Sequence, residues 1–317
     1  MSGEPRIFTG TVNKRLADQV AKKMYLRLDD TEITKFSDGE IRVELTHHVR
    51  GSKAFIIQSM SSPVNDSLME VMLLADALRR SSVQEIIGVF PYFAYSRQDR
   101  RPGYSRVPIS ARVIADMLEG VGINRVLLVD IHATQIQGFF HVPTDNISAT
   151  QLFVADIYRN HTLNECIMVS PDVGGVARAR SLAKHLNNTE LAIVDKRRPN
   201  ANVSEVMNII GDVKDKTCII VDDMVDTAGT MCKAADALIE VGGAKAVVAY
   251  ATHGVLSGKA LENIQNSKLT ELVITDTIPL AEQFKGCKKV RQLTISGILA
   301  EIMLRINSNK SISELLE

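Results

Sequence analysis

Residues 218–230 read Cys-Ile-Ile-Val-Asp-Asp-Met-Val-Asp-Thr-Ala-Gly-Thr. The apolar run 219–221 stops at two adjacent carboxylates, Asp222 and Asp223, and a small hydroxyl-rich turn follows from Asp226 to Thr230. A helical pattern begins directly afterwards. The succession predicts a buried strand over 217–221, an acidic strand end, a tight loop and a helix over 230–241. Backbone N–H groups at a helix start carry partial positive charge and bind phosphate. Thr227 and Thr230 add hydroxyl donors, and Gly229 is expected to let the backbone approach a ligand closely. Carboxylates just upstream suit sugar hydroxyls or a hydrated Mg²⁺. The stretch therefore describes a sugar phosphate held at both ends.

The same strand-then-helix rhythm runs outward in both directions. Strands are predicted over 54–58, 85–90 and 125–129, with helices over 64–80 and 110–119. In the second half strands fall at 166–170, 191–194, 246–251, 272–275 and 290–293. Helices fall at 150–159, 176–186, 259–266 and 297–306. Alternation of this kind gives an α/β fold in which parallel sheets carry helices on both faces. Such sheets bind ligands at the carboxyl ends of their strands, which is where the acidic residues lie. The halves echo one another, since 126–129 ends at Asp130 as 219–221 ends at Asp222. The division is expected near residue 149, giving domains 1–148 and 149–317.

Composition bounds the rest. The chain has 317 residues, 45% hydrophobic and 23% charged, with a formal net charge of zero. A length of this order allows two domains of ~100–200 residues. Zero net charge argues against nucleic-acid binding by bulk charge. No apolar stretch reaches the ~18–20 residues of a membrane span, and residues 1–11 lack the apolar core of a signal peptide. Cys166, Cys218, Cys232 and Cys287 form no CxxC pair, so a reduced, cytoplasmic protein is expected.

Other segments carry candidate chemistry. Ser-Pro-Asp-Val-Gly-Gly at 170–175 joins a strand to a helix. Its amides can converge on an anion with Asp172 reaching a metal, the other reading being a helix-capping turn. Lys196-Arg197-Arg198-Pro199 opens a polar loop. Clustered cations there can close over a polyphosphate, or be a generic basic patch. Phe36-Ser37-Asp38-Gly39-Glu40 reads as a hairpin turn. Arg97-Gln98-Asp99-Arg100-Arg101 suits phosphate and a base edge, or a solvated charge cluster. Asp130-Ile131-His132 suits a Mg²⁺ or phosphate site, or a histidine bonded to backbone. GxxxxGK[ST], a strand-following GxGxxG and GxSxG are all absent, which weighs against P-loop, dinucleotide and α/β-hydrolase readings.

Taken in order and spacing, FSDGE, YSRQDR, DIHATQIQGFF, SPDVGG, KRRP and VDDMVDTAGT resemble the ribose-phosphate diphosphokinase family, nearly end to end. The resemblance implies two tandem type I phosphoribosyltransferase-like domains. It also implies transfer of the diphosphoryl group of ATP to the C1 hydroxyl of ribose 5-phosphate, with Mg²⁺ as cofactor. By motif, Asp226, Thr227, Ala228, Gly229 and Thr230 look like the 5-phosphate loop, and Asp222 and Asp223 like the pair at the ribose hydroxyls. Phe36, Asp38, Gly39 and Glu40 resemble an adenine-side hairpin reaching a neighbouring subunit's site, and Arg97 and Gln98 resemble ATP contacts. His132, Asp172 and Asp130 resemble metal-site residues. Lys196 and Arg198 resemble catalytic-loop cations, Arg198 also touching ribose 5-phosphate. A homohexamer, activation by phosphate and inhibition by ADP are implied with them, Arg50, Ser81, Arg101, Ser105, Ser311 and Ser313 falling near regulatory positions. The product of such an enzyme feeds nucleotide, histidine and tryptophan biosynthesis. Two alternatives remain on the residues: a phosphoribosyltransferase that consumes the activated sugar, and a non-catalytic homologue.

Overall fold

The structure is a computed structural model and describes residues 4–197 and 206–315. In chain order its elements are β1 (Pro5–Thr9), α1 (Lys14–Lys23), β2 (Thr31–Lys35), β3 (Ile41–Leu45), β4 (Lys53–Ile57), α2 (Val64–Arg80), β5 (Glu85–Phe90), α3 (Ser110–Gly120), β6 (Arg125–Val129) and β7 (Thr144–Ile147). There follow α4 (Thr150–Asn160), β8 (Cys166–Ser170), α5 (Val176–His185), β9 (Leu191–Arg197), β10 (Val206–Ile210), β11 (Thr217–Val225) and α6 (Gly229–Glu240). The chain closes with β12 (Ala246–Gly254), α7 (Ala260–Asn266), β13 (Glu271–Thr275), β14 (Val290–Leu293) and α8 (Ser296–Asn307). Among the described residues no helix is long and apolar enough to cross a membrane.

Two compact units result, one of Met1–Ser148, Thr277–Pro279 and Thr294–Glu317, the other of Ala149–Asp276 and Leu280–Leu293. The sequence reading gave all of 149–317 to the second half, whereas Thr294–Glu317 cluster here with the first. The physical reason is α8, whose Leu299, Ile302 and Met303 are fully buried and which packs on α1.

The first unit is built on a five-stranded sheet in the order β1-β4-β5-β6-β7, parallel throughout. Alternate residues of its strands point to opposite faces. Ala54, Ile56, Ile86, Phe90, Val126 and Leu128 join one core with Leu74 and Leu78 of α2 and Ile114 and Leu118 of α3. Phe55, Ile57, Ile87, Val89 and Leu127, which alternate with them, are buried as well. A strand buried on both faces reads as a continuous apolar run, which is why these segments were legible. The hairpin β2-β3 stands apart as a two-stranded antiparallel ladder.

The second unit carries seven strands in the order β10-β9-β8-β11-β12-β13-β14, parallel except for the β9–β10 pair. Cys218 and Ile220 face the core shared with α6 and α7, while Ile219 and Val221 face the core shared with α4 and α5. Helices on both faces follow, as expected. One buried polar network ties α4 to this sheet. Asp156 accepts two hydrogen bonds from Arg291, both 2.8 Å, and one from Tyr250 Oη at 2.9 Å. Arg291 turns its remaining donors to Glu271 at 2.8 and 3.0 Å.

Candidate active site

The acidic pair sits inside β11 and not beyond its end. The apolar run predicted a strand closing at Val221, but β12 continues the parallel ladder through Asp222↔Ala251, Met224↔His253 and Val225↔Gly254. Backbone partners, not hydrophobicity, decide where that strand stops. On its other flank β11 loses β8 after Ile220↔Val169. The strand's carboxyl end is thus open on one side, and Asp222 and Asp223 lie at that opening.

Arg178, in the first turn of α5, enters the same opening. Its Nη1 donates to Asp222 Oδ1 at 2.8 Å and lies 3.0 Å from Asp223 Oδ1. The Asp223 N–H also donates to Asp222 Oδ1, at 2.9 Å. Asp223 is buried, at 5% exposure, while Asp222 is half-buried. Burial and the adjacent Asp223 push the Asp222 carboxyl up to about 7, with Arg178 pulling the other way. The two carboxylates titrate as a pair, since two such charges side by side do not both ionise freely. Arg178 was not among the sequence candidates. A signal for it existed: a cation in a helix's first turn opposes the macrodipole, so its presence in Gly-Gly-Val-Ala-Arg calls for a carboxylate nearby.

Past Val225 the chain turns through Asp226, Thr227 and Ala228 into α6. The left-handed residue of this turn is Ala228, at φ 60°. At Gly229 an added Cβ would meet only ordinary protein contacts, at 3.7 and 3.8 Å. The helix also starts at Gly229, one residue earlier than expected. Two neighbours hold the turn. Ser257 donates its N–H to the Asp226 carbonyl at 3.0 Å and its hydroxyl to the Asp226 carboxylate. Asn263 of α7 donates to the Thr227 carbonyl at 2.8 Å. No side chain caps the start of α6, so its first-turn N–H groups face outward beside the exposed Thr227 and Thr230. A helix start of this kind suits an anion, and it shares one strand-to-helix connection with the acidic pair.

Asp172 lies on the loop between β8 and α5. Its Oδ1 accepts the Gly175 N–H at 2.9 Å, and Ser170 Oγ donates to its carbonyl at 2.6 Å. The carboxylate therefore closes a turn ahead of α5, whose own N-cap, Gly175, has no side-chain cap. A Cβ at Gly175 would stand 2.9 Å from Ser170 Oγ, so the close packing of that turn selects glycine. At the edge of the same sheet, Lys196 and Arg197 end β9, paired with Met207 and Val206 of β10. A polar loop is expected to open at Lys196, whereas 196–197 and 206–210 lie in an antiparallel ladder. Arg198 and the side chain of Lys196 lie outside the described residues.

In the first unit Asp130 closes β6 in a left-handed conformation, φ 38°, its N–H donating to Ile147 O at 2.8 Å. His132 is exposed two residues on. Arg97 and Gln98 are exposed on the loop after β5. The structure joins these two segments, because Gln135 Nε2 donates to the buried Asp99 carboxylate at 2.6 Å. Phe36, Asp38, Gly39 and Glu40 form the exposed β2-β3 turn as expected, with Gly39 at φ 95° and the Phe36 N–H bonded to Glu40 O at 2.8 Å. Among the described residues no three His, Cys, Asp or Glu side chains gather as a metal cluster. Asp130 and His132 belong to the first unit and Asp172 to the second.

Known proteins bear on this arrangement. Residues 5–122 match the family defined by the N-terminal domain of ribose phosphate pyrophosphokinase, and residues 186–317 match the phosphoribosyl synthetase-associated domain. The chain is 54% identical to a ribose-phosphate pyrophosphokinase of Pasteurella multocida over 308 residues, covering 97% of this chain and 98% of that one. Identity to its counterpart in Bordetella parapertussis is 56% over 309 residues, covering 98% and 99%. A solved phosphoribosylpyrophosphate synthetase from Mycobacterium smegmatis superposes with a TM-score of 0.90 at 38% identity, covering 96% of this chain and 99% of that one.

Proposed function

The chain belongs to the ribose-phosphate pyrophosphokinase family of enzymes, and on that premise we propose that it makes 5-phospho-α-D-ribose 1-diphosphate and AMP from ribose 5-phosphate and ATP. The observation that carries the reading is the run from Asp222 to Thr230. It sets a carboxylate pair and a helix N-terminus on one strand-to-helix connection, one for sugar hydroxyls and one for a phosphate. In this reading Asp222 and Asp223 accept hydrogen bonds from the ribose hydroxyls, and Asp226, Thr227, Ala228, Gly229 and Thr230 hold the 5-phosphate. The C1 hydroxyl oxygen then attacks the β-phosphorus in line and gives up its proton to solvent, the bond from that phosphorus to the α-phosphate oxygen breaks, and AMP leaves with that oxygen. Little covalent chemistry falls to the protein in such a transfer, so positioning and charge stabilisation dominate. Lys196 and Arg198 meet the charge that builds on the transferred group and on AMP. Arg97 and Gln98, with the turn Phe36, Asp38, Gly39 and Glu40, take ATP.

The donor chemistry fits Mg²⁺. That ion takes one or two carboxylates and completes its shell with water and substrate phosphates, so a three-residue protein cluster is not needed. Asp130, with His132 beside it, would supply donors in the first unit, and Asp172 would supply one in the second. When bound, the ion offsets phosphate charge and orients the β-phosphorus. The reading extends to a cytoplasmic homohexamer activated by phosphate and inhibited by ADP, its product feeding nucleotide, histidine and tryptophan biosynthesis. Unpaired cysteines, three of them buried, suit a reducing compartment.

The test is product analysis of the purified chain with ATP, ribose 5-phosphate and Mg²⁺ by ³¹P NMR. AMP and the 1-diphosphate should appear in equal amounts. ADP as the nucleotide product, or no turnover while the 1-diphosphate is consumed with a free base, overturns the proposal.

A further inference from the structure

We propose that Arg178 is a positioning residue for the sugar substrate, holding Asp222 and Asp223 as an aligned pair of acceptors for the ribose hydroxyls. The proposal rests on the assignment of that pair to the sugar. It starts from a geometric difficulty. Adjacent residues of a strand point to opposite faces, so two neighbouring aspartates diverge unless something gathers them. One nitrogen of Arg178 does so, at 2.8 Å from Asp222 Oδ1 and 3.0 Å from Asp223 Oδ1. It reaches both because β8 stops pairing with β11 at Ile220, leaving the flank open where α5 begins. The Asp223 N–H fixes the same Asp222 oxygen from the backbone side.

Charge points the same way. Two adjacent carboxylates, one of them buried, resist ionising together, and a hydroxyl-binding pair needs its acceptors unprotonated. Arg178 and Asp223 are the charged groups acting on Asp222. Asp172 and Asp226 are the carboxylates of the flanking loops, and His253 lies on β12 opposite Met224. Arg178 is the cation supplied from α5, placed in the first helical turn where the macrodipole disfavours it. Removing it leaves the pair more readily protonated at neutral pH, and raising the pH restores the ionised form.

The experiment uses the full chain and its Arg178→Gln, Arg178→Lys, Asp222→Asn and Asp223→Asn variants. Ribose 5-phosphate affinity is measured by calorimetry, and kcat and KM by AMP formation, from about pH 6 to about pH 9. A hydrogen bond to a charged group is worth ~10- to 100-fold in an equilibrium constant, so Arg178→Gln should raise the sugar's Kd and KM by that factor near neutrality. The loss should shrink as pH rises, KM for ATP should stay within about 2-fold, and Arg178→Lys should recover much of the affinity. A Gln variant that binds the sugar like the wild type, or one whose loss is the same at every pH, overturns the positioning role. If Asp222→Asn and Asp223→Asn both leave affinity unchanged, it is the sugar assignment of the pair that fails, a result separate from the first.

Discussion

Asp156 offers the sharpest test of what holds the second unit together. Its carboxylate is buried, at 5% exposure, and takes three hydrogen bonds: two from Arg291 on edge strand β14 and one from Tyr250 on interior strand β12. Replacing it by alanine removes a bidentate charged contact, worth about 1.5–3 kcal/mol, and one hydrogen bond of the fully buried Tyr250 hydroxyl, about 0.5–1.5 kcal/mol more, while that hydroxyl keeps a longer contact to His161 Nε2 at 3.4 Å. Arg291 keeps its hydrogen bonds to Glu271, so no charge is left unpaired and the larger penalty of a stranded ion does not arise. The expected loss for Asp156→Ala is therefore about 2–4.5 kcal/mol, a fall in Tm of roughly 4–18 °C at the ~2–4 °C per kcal/mol of domains this size. Tyr250→Phe alone should lose about 1 kcal/mol. In that background Asp156→Ala should be milder by ~0.5–1.5 kcal/mol, because the hydrogen bond from Tyr250 is already gone. Burial works to raise the Asp156 pKa, but hydrogen bonds from Arg291 and Tyr250 outweigh it and the net shift is downward. A depressed carboxyl pKa gives stability that is present above the unfolded value of ~3.9 and lost as pH falls through the folded one. The gap between wild type and Asp156→Ala should accordingly stay constant from neutrality to about pH 4 and narrow only below it. Thermal melts across pH, with urea titrations at one pH, decide it. A loss under about 1 kcal/mol, or an equal loss in both backgrounds, refutes the account.

Two further substitutions probe the site loop and the chain's return to the first unit. Ala228 sits left-handed at φ 60° and is buried, so Ala228→Val should strain the phosphate turn by ~1–3 kcal/mol and raise KM for ribose 5-phosphate about 10-fold, whereas Ala228→Gly should bind normally; equal KM values for the two would show that the turn's conformation does not govern phosphate binding. Leu299 is fully buried on α8, which packs against α1, so Leu299→Ala should lose about 2–5 kcal/mol and raise amide exchange in α1 while leaving α6 protected. Faster exchange confined to the second unit would contradict the assignment of α8.

What the residues disclosed in advance follows from how each element is stabilised. Strands such as β4, β5, β6, β8 and β11 are buried on both faces and announce themselves as apolar runs. β7, Thr-Asp-Asn-Ile, has almost no such signal and exists because β6 offers it an edge. β1 and β10 are likewise short strands at sheet edges. α1 was legible but passed over: Leu16, Ala17, Val20 and Ala21 recur at helical spacing and are the residues it buries. Ala228 could not be read, since nothing in an alanine marks it as a left-handed residue. The docking of α8 on α1 is a contact between segments some 280 residues apart, which no local pattern reports.

The site divides along the same line. The proposed sugar end is written contiguously, because one strand, one turn and one helix start place Asp222 through Thr230 without outside help. Even its hidden member, Arg178, sits at the start of the helix joined to the neighbouring strand β8. The candidate ATP residues come from segments that local structure does not join. Arg97 and Gln98 follow β5, Asp130 and His132 follow β6, and a side-chain bond between Gln135 and Asp99 brings those two loops together. A motif is legible when the elements that position it are adjacent in the chain. Where tertiary contacts do the positioning, the same residues read equally well as a solvated charge cluster, and the fold has to be known before the site can be recognised.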